Sequence, residues 1–175
     1  MSKAEFEVKD PKCVCRGLDL VLKMTQFYKD YAEMKGIVNM PKSVVSTPET
    51  KTKALGLVKE FLGVLKPEDA QTSRAKDWLP RAKAEALACE KEKDGCLMAL
   101  EWVRASIHDD YSLRAKLTCQ KWQPGLGSDF IERQPYEAIG GAMYGIAGFG
   151  TLSVDTAIEE LKSAKKRFGC TVNTI

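Results

Sequence analysis

The chain has 175 residues, of which 27 are Lys or Arg and 24 are Asp or Glu, giving a net charge of +3 with 29% charged and 44% apolar residues. That is a globular balance, neither disordered nor membrane-spanning, and one domain is the expectation at this length. The single histidine, His108, excludes poly-His metal sites and two-His relays. No phosphate-binding G-x-x-x-x-G-K-[ST] loop, dinucleotide G-x-G-x-x-G or hydrolase G-x-S-x-G occurs.

The longest uncharged apolar run, Ile139 to Leu152, is shorter than the ~20 residues of a spanning helix. No transmembrane segment is therefore expected. The N-terminus lacks an apolar signal core, so an exported form is expected to have lost its targeting segment already. The basic residues are dispersed among acidic ones, which argues against nucleic acid as a partner.

In chain order, residues 1–16 read as a polar leader. A helix is expected from Gly17 to Lys35, with Leu18, Val21, Leu22 and Thr25 on one face and Leu20, Met24 and Phe27 on a second. So wide an apolar arc predicts contact on two sides. Thr47-Pro48 reads as N-cap and first residue of a second helix ending near Leu65, with Ser46 and Glu49 as an alternative capping box. Residues 68–93 have helical composition interrupted by Pro80. Cys96, Leu100, Val103, Ile107 and Tyr111 form the clearest helical stripe, expected to continue to Leu117.

After Trp122 the character changes. Residues 124–150 contain seven glycines and two prolines. Ser153 is the expected cap of a final helix striped by Val154, Ala157, Ile158 and Leu161, with Gly169 as its stop. The fold class is thus all-α: an antiparallel bundle of four to five helices over 17–123, a Gly-rich apolar arm at 124–152, and a helix and tail at 153–175.

The arm is the most unusual feature. Glycines interleaved with Tyr136, Ile139, Met143, Tyr144, Ile146 and Phe149 predict an interface that lies against a partner, with packing on its own bundle as the alternative. Six cysteines permit three disulfides. Cys89 and Cys96 flank Asp94-Gly95, a turn signal, so they are a candidate bridge across a helical hairpin and a pointer to an oxidising compartment. Cys13 and Cys15 are candidate reactive thiols if an enzyme is hidden here. His108 reads as a surface or boundary histidine, and the acidic pairs Glu68-Asp69, Asp109-Asp110 and Glu159-Glu160 as solvated or dipole-facing groups.

Ala75-Lys76-Asp77-Trp78-Leu79 on a basic helix, and the interleaved Lys and Leu of Leu57 to Lys66, resemble the small extrinsic helical-bundle (Q-type) subunits of photosystems. The resemblance implies a non-enzymatic stabilising subunit in an oxidising lumen. The expectation is therefore an accessory subunit without cofactor or metal, docked through the Gly-rich arm onto a larger complex embedded in a photosynthetic membrane. The alternative is a small-ligand or pigment-binding bundle using Trp78, Trp102 and Tyr111.

Overall fold

The computed structural model describes residues 11–35, 48–91, 96–119, 133–147 and 153–170. These form seven α-helices: α1 Pro11–Lys35, α2 Pro48–Val64, α3 Ser73–Lys91, α4 Cys96–Asp109, α5 Tyr111–Leu117, α6 Arg133–Ala147 and α7 Val154–Arg167, with a 3-10 turn at Pro67–Asp69. The described residues contain no strand. None of these helices is long and apolar enough to cross a membrane.

Packing runs in a ring: α1 meets α2, α2 meets α4, α4 meets α6, and α6 returns to α1. α3 packs on α2 and α4, α7 packs on α1 and α6, and α5 touches α1, α4 and α6. One apolar core threads all seven helices. Both faces of α1 are spent on it. Leu18, Val21 and Met24 are fully buried, and Leu20, Leu22 and Phe27 nearly so. A side chain of this size buried from water contributes roughly 1.5–3 kcal/mol, so α1 is a major contributor to the shared core.

Three sequence expectations need correction. The polar leader does not extend to residue 16, because α1 begins at Pro11, where proline suits the first helical turn. The 96–117 stripe is two helices. Asp110 is extended and fully buried, and its Oδ1 accepts the Leu113 amide at 3.1 Å as the N-cap of α5. Its Oδ2 accepts the Gln71 and Thr72 amides at 2.7 and 2.8 Å, tying the turn before α3 to this corner. The pair Asp109-Asp110 is therefore not a solvated face. Asp110 is a buried clamp, and Asp109 pairs with Arg74 at 3.2 Å.

The third correction concerns the Gly-rich segment. Residues 133–147 are a helix inside the fold, contacting α7, α1, α4 and α5. Glycine lets neighbours approach here: a Cβ on Gly145 would stand 3.1 Å from the Ser153 carbonyl oxygen at the start of α7. Pro80, by contrast, sits on the exposed side of a continuous α3. The expected caps Ser46 and Thr47, the expected turn Asp94-Gly95, and residues 124–132 and 148–152 of the expected arm lie outside the described residues.

α7 ends as expected. Ser153 Oγ accepts the Thr156 amide at 3.1 Å. Gly169 takes φ +72°, and the Cys170 and Gly169 amides return to the Lys165 and Lys166 carbonyls at 2.8 and 3.1 Å. This is a Schellman stop, and it places Cys170 just beyond the helix.

Candidate functional site

Two clusters concentrate the polar chemistry. The first is a seam along α4. Glu101, Arg104 and His108 stand at i, i+3 and i+7, one face of a helix. Arg104 donates to Glu101 Oε1 from Nε at 2.8 Å and from Nη2 at 2.5 Å. Tyr28 of α1 donates to Glu101 Oε2 at 2.8 Å. Arg104 Nη1 lies 3.3 Å from His108 Nδ1, and Tyr144 of α6 meets the His108 ring edge-on at 4.4 Å between centroids. A guanidinium only donates, so Nδ1 is the acceptor and the histidine proton sits on Nε2.

Burial pushes the Tyr28 hydroxyl well above its usual range, reinforced by Glu101. Burial, then Arg104 and Arg114, hold His108 below 6.5, so it is neutral at pH 7. Arg104 is raised, because Glu101 outweighs the burial that opposes its charge.

The seam continues into α5. The Arg114 guanidinium donates to the Ile107 and His108 carbonyls at 3.0 and 2.9 Å, satisfying the free end of α4. It lies 4.6 Å from the Tyr111 ring centroid and 5.5 Å from that of Tyr136, which stack on each other. Burial pushes Tyr136 up to about 12, and its hydroxyl has no hydrogen-bond partner. Arg104 and Tyr144 stand against His108, and neither is an activated nucleophile. The nearby hydroxyls of Ser106 and Ser112 donate to the Trp102 and Asp69 carbonyls. The chemistry available is that of an interhelical polar lock.

The second cluster is a set of staples at the start of α1. Cys13 bonds Cys119 at the end of α5, and Cys15 bonds Cys170 at the end of α7, with Cα separations of 6.0 and 5.5 Å. Residues two apart on a helix point to different sides, which is how one turn reaches two helix ends. Cys119 adopts φ +59°, a left-handed conformation that costs a residue with a Cβ about 1 kcal/mol or more. Gly17, one turn after Cys13, lies against the Leu117 carbonyl so closely that a Cβ would overlap it. The role of Gly17 is close approach, not helix initiation. One turn after Cys15, the Asp19 carboxylate and Lys165 form a buried ion pair between α1 and α7. An ion pair of this kind serves orientation more than stability.

The sequence-predicted sites distribute as follows. Cys89 and Cys96 are bridged, with Cα atoms 5.1 Å apart. Cys13 and Cys15 are both in disulfides, so the reactive-thiol reading is overturned; the described residues hold no free cysteine. Of the proposed interface residues, Tyr136, Ile139, Met143 and Ile146 are buried at 5%, 0%, 0% and 2% exposure, so their surface is used by this chain's own core. Tyr144 is exposed, and Phe149 lies outside the described residues. Trp78 and Trp102 pack together at 5.9 Å, whereas Tyr111 stacks on Tyr136. These three do not form the shared ligand wall expected of them. His108 is half-buried and held in the seam, the boundary position that was one of its two expected placements.

Missed at the sequence level were Arg104, Glu101, Tyr28, Arg114 and Gly17. The i, i+3, i+7 spacing of Glu101, Arg104 and His108 was a legible signal for the seam. Nothing local marks Arg114 or Gly17. Comparison with known proteins finds no matching family model, no matching curated relative and no matching solved structure.

Proposed function

We propose that the chain is a non-enzymatic accessory subunit of an oxidising compartment, docking onto a larger assembly. The observation that carries this reading is the disulfide framework, which closes all three possible bridges. Disulfides persist where thiols are not kept reduced. The polar groups with shifted pKa values serve helix-to-helix contacts, which suits a rigid docking module.

With Ile139, Met143 and Ile146 in the core, docking through α6 falls to its outer stripe. Glu137, Gly141 and Tyr144 follow one another at i, i+4 and i+7, and Tyr144 is 42% exposed. The resemblance carried by Ala75 to Leu79 and Leu57 to Lys66 makes a photosystem the first partner to test. Folded protein is mixed with salt-washed photosynthetic membranes and sedimented. Binding at low ionic strength, release at about 1 M salt where the Debye length is near 3 Å, and weakening by Tyr144→Ala but not by Leu87→Ala on exposed α3 support the reading. Equal loss for both variants moves the interface elsewhere. No sedimentation removes the photosystem as partner.

A further inference from the structure

Two concavities lie side by side along α1. One, of about 630 Å³, opens between α1 and α2, with Leu22, Phe27, Gly56 and Leu57 in its lining. The other, of about 510 Å³, opens between α1 and the end of α7, beside Lys12, Cys15, Arg16 and Phe168. Lys23 and Glu60 line both, so the two meet at a shared pair. Volumes of this size suit small molecules.

Charge divides the groove into unlike ends. At the α1–α2 end each rim lysine has a carboxylate: Lys53 with Glu49 at 3.2 Å, Lys23 with Glu60 at 3.8 Å, Lys162 with Glu159 at 4.0 Å. At the α7 end Lys12 and Arg16 are exposed, and neither has a carboxylate partner among the described residues. Asp19, which lines this end, is taken by Lys165. Among the described residues, one end therefore carries two cations that no carboxylate pairs. The other carries a narrow apolar floor, where Leu22, Phe27 and Leu57 keep 6%, 7% and 8% of their surface open, inside a neutralised rim. From Arg16 to Phe27 the helix advances about 16 Å, the span of a medium-length acyl chain.

We infer that this groove binds a single-chain anionic amphiphile of fatty-acid type, its carboxylate at Lys12 and Arg16 and its chain laid past Lys23 and Glu60 onto Leu22, Phe27 and Leu57. The polarity gradient along α1 carries the assignment. A neutral apolar ligand would leave the two cations unused, and a small anion would leave the floor unused. The assignment is independent of the docking stripe on α6.

The test displaces a groove-bound fluorophore, anilinonaphthalene sulfonate, from the full disulfide-bonded chain. Laurate below its micelle concentration is compared with shorter carboxylates, with dodecanol and with phosphatidylglycerol vesicles. Expected is one-to-one displacement by laurate, tightening about fourfold per added methylene and stronger than by dodecanol. Gly56→Leu fills the floor, and since a Cβ there meets nothing within 4 Å the helix keeps its place; laurate should weaken at least ~10-fold, the worth of two lost methylenes. Lys12→Gln with Arg16→Gln, both exposed, should weaken laurate about fivefold, the worth of two partly screened charge contacts, and leave dodecanol unchanged.

Equal affinity for laurate and dodecanol overturns the head-group assignment. Indifference to Gly56→Leu overturns the floor. Response to vesicles alone makes the surface a bilayer contact, and a concentration-dependent dimer lost in Gly56→Leu gives the groove to a second copy. Either result overturns the amphiphile.

Discussion

The α3–α4 hairpin and the start of α1 are both closed by disulfides, yet they do different things for the fold. Cys89 and Cys96 are seven residues apart, fully buried, and join helices that already pack along their length. Cys13–Cys119 and Cys15–Cys170 span 106 and 155 residues and join elements remote in the chain. The Cα separations differ by less than 1 Å across all three. What differs is the chain entropy each bridge removes from the unfolded state, which grows with the logarithm of loop length. The hairpin bridge secures a contact that local packing makes anyway. The α1 bridges secure contacts that a long chain search would otherwise have to find.

The comparison is broken most severely by removing a long bridge. Cys15→Ala with Cys170→Ala should cost about 5 kcal/mol on the loop-entropy scale, read as a fall in the urea midpoint with unchanged far-UV helicity in buffer. Next comes Gly17→Ala. Its methyl would overlap the Leu117 carbonyl, so α5 must move off α1, at a cost of about 3 kcal/mol. Cys13–Cys119 should also become more readily reduced, which alkylation and mass mapping would detect. A neutral Gly17→Ala would show that the close approach is dispensable. Cys89→Ala with Cys96→Ala should cost only about 2 kcal/mol, as expected for a short loop. A loss equal to that of the long bridge would sink the entropic account of the difference.

The smallest effect sharpens the comparison at the seam between the two regions. His108 has its folded pKa depressed below 6.5 by burial and by Arg104 and Arg114. Its unfolded form therefore takes up a proton first as pH falls. Its contribution is complete above pH 6.5 and is lost as pH drops through that value toward the folded pKa. His108→Gln should flatten the fall in stability as the pH drops below 6.5, measured by urea unfolding at a series of pH values. An unchanged slope would place the pH response in other groups.

Legibility in the sequence followed locality. The stripe from Cys96 to Ile107 is read from spacing because every third or fourth residue faces one core. Ser153 and Gly169 are read from capping chemistry, which acts over three or four residues. The Cys89–Cys96 bridge is read from a turn signal between its ends. Of the two readings of Asp109-Asp110, solvated or dipole-facing, Asp110 follows the second as the N-cap of α5, but its full burial has no local signal. Only the approach of Gln71 and Thr72, nearly forty positions away, supplies the amides that bury it. Tyr136, Ile139, Met143 and Ile146 form a helical stripe at i, i+3, i+7 and i+10 that glycine enrichment obscures, so the sequence left both a partner and the chain's own bundle open as its cover. Their burial depends on α1, α4 and α7 arriving to cover them.

What the amino-acid order determined by itself was the all-helical class, the extent of α2 and α7, the two-sided burial of α1, and the local bridge. Each rests on forces acting within a few turns of one helix: hydrogen-bond geometry, end capping and the periodicity of apolar residues. What only the tertiary structure decided was the partner of Cys13 and of Cys15, the glycine contact at Gly17, the capture of Asp19 by Lys165, and the groove with its two unlike ends. These arise where surfaces from distant parts of the chain meet, and complementarity across such a junction is a property of two surfaces at once, which no single segment carries.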